Sequence, residues 1–213
     1  MQRILVTVAV NDYRPEVCEL TFPNLKKYAD RIGAEFVVIS ERLFPEWHPV
    51  YEKLQAYWMA KHCDQLLLVD ADLILHPKLP DLLTPMNPDQ CGSWQEYPIK
   101  GPELTLWPTE DDQYFQRDGR NLGIVGSLVA CSKNTRDIFK PLPAHHSPDQ
   151  VQNRLYRPAI VDEYVMSRNV AKYGLKHAAL WPAYHGIHHA EVTTINPSDA
   201  VEQLHTVLKA WNQ

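Results

Sequence analysis

The chain has 213 residues, 45% of them hydrophobic, enough to bury one α/β core and too apolar for a disordered segment. Its net charge of −5 and pI near 6.0 argue against a surface built for nucleic acid or an anionic membrane, while leaving room for a local basic groove around a phosphate. Four scattered cysteines, Cys18, Cys63, Cys91 and Cys131, show no CxxC spacing and follow no secretory leader. They predict buried thiols in a reducing compartment, and with them a soluble, cytoplasmic protein of one domain, 1–213. No apolar run reaches the roughly 18–20 residues that span a bilayer.

In chain order, ILVTVAV (Ile4 to Val10) predicts a buried strand that empties into the polar loop NDYRPE. From Val17 to Ile32 the apolar positions Val17, Leu20, Leu25, Tyr28 and Ile32 approximate a helical stripe, with Pro23 inside it and Gly33 as its cap. EFVVIS is a second strand. Tyr51 to Cys63 carries Tyr51, Leu54, Tyr57, Trp58 and Lys61 at helical spacing and leads into a third strand, Gln65 to Val69. The opening is therefore βαβαβ, the signature of a mostly parallel, Rossmann-like sheet flanked by helices.

Beyond it, Pro77, Pro80, Pro85 and Pro88 break the chain, Cys91 to Gln95 predicts a strand, and residues 98–121 form a long polar loop of the kind that carries function. Leu122 to Cys131 predicts one strand with two glycines, followed by a short helix near Asn134 to Phe139 and a linker over residues 141–158. IVDEYVMSRNVAKYG predicts a helix ended by Gly174, HAALW a strand, and Ser198 to Trp211 a closing helix with Ser198 as its N-cap.

The informative stretch is QLLLVDADLILH at 65–76. A buried strand tolerates ionised Asp only when it is paired or metal-bound, yet Asp70 and Asp72 fall where a central parallel strand ends. That end is where open α/β sheets bind ligands. Residues i and i+2 of an extended chain project to one side, so two hard carboxylates would converge on a cation such as Mg²⁺ or Mn²⁺. The D-x-D string alone is common and often marks a solvated turn; its position gives it weight.

VDADLIL, the first strand, Lys53 ahead of the third, NLGIVG at 121–126 and VDEY at 161–164 together resemble the GT-A class of nucleotide-sugar glycosyltransferases. The resemblance runs through most of the chain and is strongest between Tyr51 and Leu75. It implies a GT-A fold, Mn²⁺ or Mg²⁺ as cofactor, a nucleotide sugar, commonly a UDP-sugar, as donor, and a carbohydrate hydroxyl as acceptor. By the same resemblance Asp72 is a direct metal ligand and Asp70 shares metal and ribose. Thr7, Val8 and Ala9 would approach the base, with Asn11, Asp12 and Tyr13 around it. Lys53 would approach ribose or phosphate, and Asn121 and Gly123 would border the donor sugar. The ordinary alternatives are a plain strand and turn for the first group and a solvated helix lysine for Lys53.

By the same resemblance AYHGIHHA offers a late histidine to complete the metal site, with His188 preferred and His185 the alternative. A zinc-protease reading fails for want of HExxH. The chain also lacks the H-x-x-G-x-x-K-P-W ending of one subgroup, which leaves open how the departing phosphate is neutralised. Asp162 and Glu163 open a helix, where acids also serve to complement the dipole; functionally, one of them would take the acceptor's proton and give inversion, Asp162 being the first choice. Trp107, Tyr114 and Phe115 would furnish a lid or acceptor platform. Two rivals remain: a sugar nucleotidyltransferase, disfavoured because NDYRPE has no glycine-rich phosphate loop, and a nucleotide-sugar-binding module without catalysis.

Overall fold

The computed structural model describes residues 1–94, 96–98, 116–117, 120–155, 157–180, 186–190 and 197–211. Its centre is a six-stranded sheet. β1 (Arg3–Val8), β2 (Glu35–Ile39) and β3 (Gln65–Val69) are parallel neighbours, with β1 in the middle, and α1 (Pro15–Arg31) crosses from β1 to β2. Pro15 stands in the first turn of α1, where a missing N–H costs nothing, and Gly33 ends the segment at φ 67°.

The segment from Tyr51 to Cys63 departs from a single α-helix: it is a 3-10 helix (Pro49–Gln55) followed by the short α2 (Ala56–Met59). β4 (Leu73–Leu75) leaves the main sheet, and β5 (Gln90–Ser93) rejoins it. β6 (Glu96–Pro98), β7 (Gln116–Arg117) and β8 (Arg120–Ile124) make a small antiparallel sheet. β9 (Leu128–Ser132) then runs antiparallel between β3 and β5. What the apolar run Leu122–Cys131 suggests as one strand is thus two, broken at Gly126, because its halves belong to different sheets.

A 3-10 helix over Lys133–Phe139, α3 (Pro148–Gln152) inside the expected linker, and α4 (Val161–Lys172) follow. β10 (Lys176–Ala179) pairs parallel with β5, β11 (Ile187–His189) pairs antiparallel with β4, and α5 (Pro197–Trp211) closes the chain. Ser198 lies inside α5, bonding to Asp199, and so is no cap. Residues 99–115, with Trp107, Tyr114 and Phe115, lie outside the described residues, as does His185.

The central strands are buried on both faces, and their alternation sorts the side chains into two cores. Ile4, Val6, Leu66, Leu68, Val129 and Cys131 face the 3-10 helices and α4, whereas Leu5, Leu67, Val69, Leu128 and Ala130 face α1. A third cluster, Val17, Ile74, Ala190, Ala200 and Leu204, ties α1, β4 and α5 together at the edge where β3 ends. Among the described residues no helix is long and apolar enough to cross a membrane.

Candidate functional site

β3 ends at Val69, and the chain turns. The Asp70 N–H donates to Ser127 O at 2.8 Å and the Leu73 N–H to Asp70 O at 3.2 Å, closing a tight turn that carries both acids out of the sheet. Asp70 and Asp72 therefore converge through a turn, in place of the extended i, i+2 geometry expected of a strand. β4 then pairs with β11 so that His189 sits opposite Leu73, and the Ala190 N–H donates to Asp72 O at 3.1 Å.

That register delivers His189 to the acids. Its Nε2 lies 3.2 Å from Asp72 Oδ1, and one ligand atom from each of Asp70, Asp72 and His189 falls within 4.8 Å of the others. His188, one position earlier on the strand, points to the opposite side of the ribbon, where it lines a depression with Glu202, Gln203 and Thr206 of α5. The structure thus brings His189 to the acids, while the sequence preference is His188: period-2 alternation exchanges the two neighbours' faces.

Around this cluster the other polar groups are interlocked. The Tyr13 hydroxyl donates to Asp72 Oδ2 at 3.0 Å. Lys53, 8% exposed, places its ammonium 2.7 Å from Asp70 Oδ1 and 2.8 Å from Asp162 Oδ2, and donates to Gly126 O at 3.3 Å. The solvated-lysine alternative is excluded. The Gly126 N–H in turn donates to Glu163 Oε1 at 3.2 Å. A Cβ at Gly126 would stand 2.6 Å from Asp162 Oδ2, so α4 packs tightly against the bend between β8 and β9.

Burial and charge set the protonation. Burial would push Asp72 up, but the hydrogen bond and charge of His189, with the Tyr13 hydroxyl, hold it below the usual range; the same contact raises His189 against its own burial. Asp70 is pushed up to about 6 by burial, tempered by Lys53 and aggravated by Asp72. Burial alone would lower Lys53, but Asp162 and Asp70 outweigh it and keep the ammonium charged. Glu163 is pushed up to about 7, first by burial and then by the charge of Asp162. Two buried polar atoms of this region, Asp162 Oδ1 and Ser127 Oγ, have no hydrogen-bond partner among the described residues.

The remaining sequence candidates sit on the rims. Thr7 is fully buried in β1, Val8 pairs with Ile39, and the Ala9 N–H donates to Ile39 O at 2.9 Å as the strand ends. Asn11 and Asp12 are exposed in a loop of left-handed residues, at φ 57° and 53°, with Arg14 at 34°. Asn and Asp adopt such angles readily, whereas Arg14 holds its own only because its surroundings enforce it. Asn121 and Gly123 lie on β8, Gly123 paired with Tyr97. His189 is the residue that sequence reasoning passed over; the signal that would find it is the strand register.

The fold is the Rossmann-like GT-A architecture expected from the sequence. The chain is similar to a glycosyltransferase involved in glycosylation of the major capsid of PBCV-1, with a TM-score of 0.56 and 11% identity over 97% of this chain and 100% of that one. It is also similar to a Drosophila β-1,4-galactosyltransferase 7 mutant in complex with manganese, UDP-Gal and xylobiose, with a TM-score of 0.44 and 14% identity over 89% of this chain and 71% of that one. No family model and no curated protein matches the sequence.

Proposed function

We propose that residues 1–213 form one metal-dependent glycosyltransferase domain that moves a sugar from a nucleotide sugar, a UDP-sugar by preference, to a carbohydrate hydroxyl in the cytoplasm. The observation that carries this reading is the convergence of Asp70, Asp72 and His189 where the central strand β3 leaves the sheet. Two hard carboxylates with one imidazole suit Mn²⁺, with Mg²⁺ second. Both neighbours in the fold comparison are glycosyltransferases, and one is described with manganese and UDP-Gal.

Asp70, Asp72 and His189 would hold the ion, whose charge would stabilise the departing diphosphate. Tyr13 fixes the rotamer of Asp72, and Lys53 fixes Asp70 against Asp162. The unpartnered Asp162 Oδ1 and Ser127 Oγ supply acceptors for hydroxyls of the donor sugar. Asp162, already spent on Lys53, is a poor base, so the role passes to Glu163. A carboxylate poised near neutrality suits the removal of the acceptor's proton, with inversion at the anomeric carbon. Thr7, Val8, Ala9, Asn11 and Asp12 border the nucleotide, and Asn121 and Gly123 the sugar.

The test is hydrolysis of a panel of nucleotide sugars with and without Mn²⁺. Turnover should require the ion and vanish in Asp72→Asn, with the melting curve of the apo protein preserved. Turnover that survives both chelation and Asp72→Asn would overturn the reading.

A further inference from the structure

The net charge of −5 conceals a local concentration of cations on the face formed by α2, the 3-10 helix at 133–139 and the end of α4. Lys61 Nζ stands 5.1 Å and the Arg136 guanidinium 6.0 Å from the Tyr57 ring centroid. Lys140 Nζ and Lys172 Nζ stand 4.9 Å and 5.9 Å from that of Tyr173. Lys140 is also within electrostatic reach of Tyr57, so the two groups form one patch, in which Asp137 is the acid beside Lys140.

The patch continues into apolar surface. Trp58 packs edge-on against Tyr57 at 5.5 Å and, tilted by 31°, against Phe44 at 6.0 Å, and Leu43 precedes Phe44. Leu43 at 54% and Trp58 at 39% exposure are, with Met1, the large hydrophobics left exposed among the described residues. None of these side chains belongs to the metal cluster. Helix α4 carries Glu163 in its first turn and ends beside Tyr173, about 15 Å of helix away, while on the other side Tyr57 follows Lys53 by four residues.

We infer that this face docks the protein on an anionic bilayer surface. Cations on long stems around amphipathic rings are what the headgroup region selects: Trp and Tyr settle at the interface, and each Lys or Arg near an anionic leaflet contributes about 1 kcal/mol. Two isolated apolar side chains fall short of the dry centre that a protein partner requires. The binding is peripheral and reversible, and it holds independently of the glycosyltransferase reading.

The experiment is co-sedimentation with vesicles of phosphatidylcholine alone or mixed with phosphatidylserine. Wild-type protein should bind the anionic vesicles and ignore the neutral ones, and raising salt from about 0.1 M to about 1 M, which shrinks the Debye length from ~10 Å to ~3 Å, should release it. Lys61→Glu with Arg136→Glu and Lys140→Glu should lower partition about a hundredfold, Trp58→Ala should weaken it, and Asp72→Asn should leave it intact. Metal-dependent turnover in the charge-reversed variant should persist, which separates this face from the site. Equal binding to both vesicle types, or none to the anionic ones, would overturn the inference without touching the proposed activity. Retention on polyglutamate resin as strong as on vesicles and indifferent to Trp58→Ala would reassign the patch to an acidic protein partner.

Discussion

Deleting the Lys53 ammonium would leave Asp70 and Asp162 facing each other in a buried pocket with no cation between them. Breaking such a pair from one side costs about 3–5 kcal/mol, so Lys53→Met should unfold at markedly lower urea. Adding Asp162→Asn to that variant should restore part of the loss, and an additive double variant would refute the coupling. Glu163 has the opposite sign. Its folded pKa near 7 lies above its ordinary value, so any stability it lends is present in acid and drains away as pH rises through 7. Glu163→Gln should therefore gain stability over wild type at pH ~8, by roughly 1–3 kcal/mol at most, and lose the activity that otherwise climbs to a plateau above about 7. A flat pH profile in the wild type would rule Glu163 out as the base. At this scale Asp70, Asp72 and Lys53 were legible because a charge in an apolar strand, or just ahead of one, is a local anomaly. His189 was not, since its neighbour His188 has the same chemistry and only the pairing of β11 with β4 decides between them.

Elements carry their own consequences. Within the 3-10 helix at Pro49–Gln55 two adjacent charged residues serve two different networks. Glu52, fully buried, binds Arg42 and the Leu43 and Phe44 N–H groups, while Lys53 turns to the acids. Apolar spacing shows a helical face there but cannot show that Glu52 and Lys53 both point inward, which is why one long α-helix looks right from sequence. The Gly126 bend is similar: an unbroken apolar run reveals burial, not the sheet in which each half is paired. Gly126→Ala should displace α4, since its new methyl meets Asp162 Oδ2 at 2.6 Å and Met166 Cε at 2.9 Å. Overpacking of that kind costs about 1–3 kcal/mol, and turnover should fall with it. Unchanged melting and kinetics would mean that the β8–β9 junction yields freely.

Across the whole molecule, the Asp70–Asp72–His189 cluster draws its side chains from the turn after β3 and from a ribbon strand near the end of the chain. The parallel βαβαβ opening was readable from alternating periodicities, whereas the reversed strand β9 and the β4–β11 ribbon depend on pairings that no local pattern encodes. An ion bound by Asp70, Asp72 and His189 would clamp those distant segments, and a ligand that binds only the folded state raises its melting temperature. Mn²⁺ should thus stabilise the wild type and the His188→Ala variant, with EDTA reversing the gain, but not Asp72→Asn or His189→Ala. A full Mn²⁺ shift in His189→Ala would return the third ligand to another residue.

The four thiols give the molecule a built-in clock. Cys18, Cys63, Cys91 and Cys131 are all buried and reduced, and burial pushes the Cys18 and Cys63 thiols up to about 11, so alkylating reagents can reach them only through openings of the fold. Cys131 lies on β9 at the centre of the sheet, whereas Cys18 sits on the first turns of α1, its thiol donating to Tyr13 O at 3.1 Å. Alkylation of Cys131 would time global unfolding, and that of Cys18 the loosening of the Asn11–Arg14 loop. A nucleotide that orders this loop should slow modification at Cys18 far more than its overall stabilisation slows modification at Cys131, so substrates could be screened by mass spectrometry before any product is known.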